Sequence, residues 1–130
     1  MTPELQALAA VVALQIVFGL TTTAVVSGRT GIGYIFSSRE DRVDLDTGLV
    51  GRLHRARVNC FEALIYFTPA VALVVLADAS SPTTAAAAWT FVAARVGFVV
   101  CYALDLTPWR SYVWIVGIIA IAVMLGASVL

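Results

Sequence analysis

Long apolar stretches separated by short polar connections set the pattern of this chain. Residues 5–27 carry no ionisable side chain, residues 60–77 only Glu62, residues 85–104 only Arg95, and residues 111–130 none. About 20 apolar residues in a helix cross the hydrocarbon layer of a bilayer, so each stretch is long enough or nearly so. The pattern predicts four helices, over residues 4–27, 49–77, 84–106 and 109–130, within a single domain covering residues 1–130. The first stretch lacks the basic leading region of a signal peptide, and its apolar run is too long for one. It reads as a retained helix.

The connections differ in charge. Residues 28–57 hold Arg29, Arg39, Arg42, Arg52, Arg55 and Arg57, together with Glu40, Asp41, Asp44 and Asp46. Residues 78–84 contain Pro82 and no basic residue, and residues 105–110 contain Pro108 and Arg110. Arginine near membrane ends marks the cytoplasmic side, which places the first and third connections there and both termini outside. Trp89, Trp109 and Trp114 fall near predicted helix ends, where amphipathic rings favour the headgroup layer. The short second and third connections force antiparallel neighbours. The expected architecture is an all-α integral membrane protein, a transmembrane up-down four-helix bundle in contact with membrane lipids.

Composition agrees with that picture. Hydrophobic residues make up 61% of the chain and charged residues only 12%, against roughly half and a quarter in soluble domains. The formal net charge is zero, yet all eight basic residues are arginine. Arginine stays charged and offers a planar fork to carboxylates and phosphates. The arginines share their segment with acids, so no nucleic-acid patch forms. Cys60 and Cys101 make no metal-ligand spacing and read as small buried residues; His54 is the only histidine, so a metal site is not expected.

One polar constellation interrupts the apolar pattern. Arg52, Arg55, Asn59, Glu62 and Tyr66 are spaced three, four, three and four, which aligns them on one stripe of the second predicted helix. A polar stripe running into an apolar helix must face other helices or a wet cavity. The third predicted helix offers a counterpart face in Arg95, Tyr102 and Asp105. Ten residues separate Arg95 from Asp105, which sets the guanidinium about 15 Å deeper in the bilayer. A charge at mid-bilayer costs about 2.5–3.5 kcal/mol on insertion scales, so Arg95 needs a partner. Glu62 is the obvious one, in a buried pair that would fix the bundle register. Yet Arg52, Arg55, Arg95 and Arg110 converge on one half of the bundle with Asn59, Tyr66, Tyr102 and Ser111. One glutamate does not neutralise four guanidinium groups. Either the loop carboxylates do so, or the pocket takes an anionic ligand whose ammonium group suits Glu62.

The run Arg55-Ala-x-x-Asn59-x-x-Glu62 resembles the signature of the MAPEG family, the membrane-associated proteins of eicosanoid and glutathione metabolism. The similarity extends over nearly the whole chain: four spans, a long first connection, Arg95 seven residues before Tyr102, and Arg110-Ser111 opening the last helix. The resemblance, closest to bacterial-type members, implies a homotrimer in a bacterial inner membrane with glutathione bound between subunits at the cytoplasmic face. By position, Arg55, Asn59, Glu62, Arg95 and Tyr102 would hold the tripeptide, joined by Arg52 and Tyr66 from the same polar stripe. Arg110 and Ser111 would stand by the sulfur as the catalytic pair. A free thiol has a pKa of about 8.5, and a cation within about 4–6 Å favours its ionised form. The reading is thus a glutathione transferase or peroxidase acting on a lipophilic substrate.

Three departures bear on that reading. Trp114 stands where the prostaglandin synthase branch has a tyrosine, Phe98 replaces a histidine, and the helix-two proline falls at Pro69, seven residues past Glu62 rather than four. A prostaglandin activity is not expected. The alternative is a non-catalytic lipid-binding scaffold or accessory subunit of the same fold. A transporter is a weaker third option, because broken helices and inverted repeats are absent.

Overall fold

A computed structural model describes residues 1–38, 40 and 45–129. Arg39, Asp41, Arg42 and Asp44 of the charged connection, and Leu130 at the expected end of the last helix, lie outside the described residues. The helices are α1 (Pro3–Thr30), a single turn α2 (Ile32–Ile35), α3 (Gly48–Leu76), α4 (Pro82–Ala103) and α5 (Trp109–Val129). Four of them are long and apolar enough to span a membrane: α1, α3, α4 and α5. The short α2 falls within a segment expected to be a connection.

Local chemistry sets the ends. Thr2 caps α1 by accepting the Leu5 amide at 3.5 Å, with Pro3 at the first helical position, where its missing N–H costs nothing. Ser81 and Thr84 cap α4 reciprocally behind Pro82. Two aspartates close helices in the left-handed region, Asp78 at φ 53° and Asp105 at φ 57°. In each case the following amide reaches back five residues, Ala79 N to the Val74 carbonyl at 2.9 Å and Leu106 N to the Cys101 carbonyl at 2.8 Å. That closure ends α4 at Ala103, three residues before the expected 106.

The bundle is built around α3 and α4. Each packs against both α1 and α5, while among the described residues α1 and α5 do not meet. The contact surfaces are rich in small side chains, Ala63, Ala70, Ala87, Ala88, Ala94 and Ala120, which let backbones approach where lipid gives no hydrophobic drive to association. Phe67 and Phe91 stack at 4.1 Å and 13° in the middle of this core. A second, smaller cluster of Phe18, Leu53, Ala56, Cys60 and Phe98 lies toward the end where α5 begins.

At the opposite end, the Glu4 carboxylate is fully buried. Thr84 donates to it at 2.6 Å and Ser80 at 2.9 and 3.1 Å. A buried carboxylate is tolerable only with its lone pairs satisfied, and these hydroxyls tie the start of α1 to the α3–α4 connection and the first turn of α4. Thr84→Val is expected to cost about 1.5–3 kcal/mol, the range for hydrogen bonds to a charged group. Valine at the exposed neighbour Thr83 should leave stability unchanged. Thermal unfolding in detergent reads both, and equal melting temperatures for the two variants would remove the clasp.

Candidate functional site

Four of the expected site residues meet in one cleft. Asn59 from α3, Tyr102 from the end of α4, and Arg110 and Ser111 from the first turn of α5 line it, with Phe98 and Trp114 completing the walls. Its volume is about 180 Å³. Arg110 is half-buried, its guanidinium carbon 5.0 Å from the centre of the Tyr102 ring, and that ring tilts onto Phe98 at 4.9 Å. Among the described residues no carboxylate pairs with Arg110. The cation is steered by an aromatic face and keeps its hydrogen-bonding edge for something else.

Arg95 does not pair with Glu62. Its guanidinium is 1% exposed and sits between two rings, 5.1 Å from the Phe91 centroid and 5.0 Å from that of Phe98. Nη1 donates to the Asn59 Oδ1 at 3.4 Å, and Nε and Nη2 have no hydrogen-bond partner. Gly117 makes room on α5: a Cβ there would stand 2.7 Å from Nη2. Glu62 instead faces outward from α3, exposed on the protomer surface. The buried register pair expected from charge alone is therefore replaced by a guanidinium held between aromatic rings and an amide. The cause is rotational. Asn59 and Glu62 are three residues apart, so they point roughly 60° apart around the helix, enough for one to turn inward and the other out.

The remaining arginines of the stripe are tied to backbone. Arg52 Nε donates to the Tyr102 carbonyl at 3.2 Å, and Nη1 lies 3.8 Å from the Asp105 carboxylate, so this cation closes the carbonyl end of α4. Arg55 is exposed and Nη1 donates to the Asp46 carbonyl at 2.9 Å. The approach of that strand of chain depends on Gly51, where a Cβ would run into the Asp46 carbonyl. Neither arginine lines the cleft. Tyr66 is 60% exposed and lines a neighbouring apolar groove of about 500 Å³ between α3 and α5, with Ile65, Pro69, Trp114, Ile118 and Leu125. A separate polar pocket of about 220 Å³ lies on the α1 side of α3, with Thr22, Thr23, Tyr34, His54 and Arg57 on its walls.

Several residues of the site were not expected from sequence. Trp114 belongs both to the polar cleft and to the apolar groove, although the sequence marked it only as a headgroup anchor and as a departure from the tyrosine of the prostaglandin synthase branch. Its spacing of four from Arg110 was the available signal, since it puts the two on one face of α5. Phe91 and Gly117 around Arg95 gave no signal, being ordinary members of apolar runs.

The family comparison covers almost all of this architecture: a model described as MAPEG family matches residues 5–130. No curated protein and no solved structure matches the chain.

Proposed function

The chain belongs to the MAPEG family, and from that premise we propose that it is a membrane-bound glutathione-dependent transferase or peroxidase acting on lipophilic electrophiles. The observation that carries the reading is the grouping of Arg110, Ser111, Asn59 and Tyr102 in one cleft, with Trp114 joining it to the apolar groove. The donor set fits the ligand. Arg110 has no carboxylate partner among the described residues, and it opens α5, where the helix N-terminus also favours negative charge. Glutathione, when bound, supplies a nucleophilic thiol. The Arg110 guanidinium would favour the ionised sulfur, and the Ser111 hydroxyl would donate a hydrogen bond to it. The groove between α3 and α5 would bring an apolar substrate from the bilayer to the same point.

One protomer does not enclose such a ligand. The cleft of about 180 Å³ falls below the range of roughly 300–1,000 Å³ usual for small-molecule sites. Arg55, Glu62 and Tyr66 stand exposed beside it on α3, and polar groups within a span do not face lipid. A homotrimer that covers this face of α3 would complete the site, with Glu62 available to the ligand ammonium. Native mass spectrometry from detergent is expected to give three chains per particle. A monomer that binds glutathione with full affinity would remove the subunit contact from the proposal.

The arginine distribution supports an orientation with the Arg110 end in the cytoplasm and both termini outside, in a bacterial inner membrane. Cysteines introduced in the connection 77–81 should then react with impermeant reagents from the outside only. Labelling from the inside reverses the orientation.

Glutathione activation is tested at Arg110. Ultraviolet difference titration of bound glutathione should detect abundant thiolate at neutral pH in the wild type. Arg110→Ala should return the thiol toward its free value, with about tenfold less thiolate for each pKa unit lost. Arg110→Lys should recover only part of the effect, because an ammonium is a mobile point charge rather than a fixed fork. The apolar groove, larger than the polar cleft, favours a second reading, a lipid-binding scaffold or accessory subunit. Absence of thiolate in the wild type at neutral pH would decide for it.

A further inference from the structure

We infer that Arg95 is a positioning residue that turns the Asn59 amide so that its NH₂ group faces the polar cleft, which thereby selects a ligand presenting a carbonyl or carboxylate oxygen at that point. The inference rests on the proposed glutathione site and specifies how the ligand lies in it. A guanidinium carries five N–H donors and no acceptor, and the side chain of asparagine has one acceptor atom, Oδ1. The contact between Arg95 Nη1 and Asn59 at 3.4 Å therefore commits Oδ1 to Arg95. The two Nδ2 hydrogens remain, and Asn59 lines the cleft.

Arg95 is placed to hold this orientation and not to touch ligand. It is 1% exposed, with Phe91 and Phe98 on its sides and Gly117 against Nη2. Its Nε and Nη2 are unpartnered, and the Cys60 sulfur beside the guanidinium is too weak an acceptor to draw Arg95 away from Asn59. Arg110 is likewise donor-only, Ser111 and Tyr102 bring hydroxyls, and among the described residues no carboxylate lines the cleft. Such a wall accepts oxygen and repels ammonium. A carbonyl or carboxylate oxygen of the peptide would lie against Asn59, with the sulfur toward Arg110, and its ammonium would lie outside, toward the exposed carboxylate of Glu62.

Asn59→Asp separates this role from a structural one. The carboxylate keeps an acceptor for Arg95 and adds opposite charge, so the purified protein should melt at or above the wild-type temperature. It presents oxygen in place of N–H to the cleft, so calorimetry should find glutathione bound at least tenfold more weakly. Asn59→Leu should lose both stability and binding. Gly117→Ala, which displaces the Arg95 guanidinium while every cleft side chain keeps its identity, should weaken glutathione binding severalfold. Gly126→Ala, where a Cβ meets nothing within 4 Å, should not. Wild-type affinity in Asn59→Asp or in Gly117→Ala overturns the proposal, as does an Asn59→Asp protein that melts as low as Asn59→Leu. A wild type that binds no glutathione fells the enzymatic reading instead. The Arg95–Asn59 contact is then still decided by the order of the melting temperatures.

Discussion

The positive charge of Arg95 has to be accommodated within a helix that otherwise carries none, and the packing around it follows from that requirement. The guanidinium lies eight residues from the end of α4, about 12 Å into the span. Two aromatic faces, each worth up to about 2 kcal/mol to a desolvated cation, offset much of its insertion cost. This solution constrains three helices together. Phe91 and Phe98 must flank Arg95 on α4 itself, α3 must turn Asn59 inward, and α5 must present a glycine where any larger residue would press on Nη2.

The polar cleft is a consequence of the same arrangement. Fixing Asn59 on α3 and closing α4 early at Ala103 leaves a gap at the end of the bundle, into which the first turn of α5 brings Arg110 and Ser111. Asp105 in the left-handed region and Arg52 on the Tyr102 carbonyl hold that end of α4 in place. At the other end of the molecule the buried Glu4 carboxylate performs a comparable task with the hydroxyls of Ser80 and Thr84 as donors. Between these two polar anchors the helices meet through alanines and a stacked aromatic pair, surfaces with little directional preference of their own. The polar anchors therefore carry much of the specification of register.

A functional consequence is the proximity of two unlike environments. Trp114 is a wall common to a small donor-rich cleft and a larger apolar groove along α3 and α5. Chemistry between a water-soluble thiol and a lipid-soluble partner requires such a meeting point, and so does the binding of a lipid beside a polar headgroup. The same geometry thus underlies both readings of the protein, and the charge state of the bound thiol distinguishes them.

The spans, their number and the alignment of Arg52, Arg55, Asn59, Glu62 and Tyr66 along α3 follow from local properties, hydropathy over about 20 residues and the 3.6-residue turn, and so were legible without coordinates. The family signature is local in the same sense. The partner of each polar group was not legible. Glu62 and Asn59 share a stripe, but only the rotation of α3 against α4 decides that Asn59 meets Arg95 while Glu62 faces outward. Glu4 and Thr84 are 80 residues apart, and nothing near either announces the other. Arg52 and Arg55 read as ligand contacts by charge, and the structure gives them backbone carbonyls instead, that of Tyr102 near the end of α4 and that of Asp46 in the connection before α3. Helix rotation and depth are set by the fit of small side chains across several helices at once. That is a property of the assembled bundle, and no single segment encodes it.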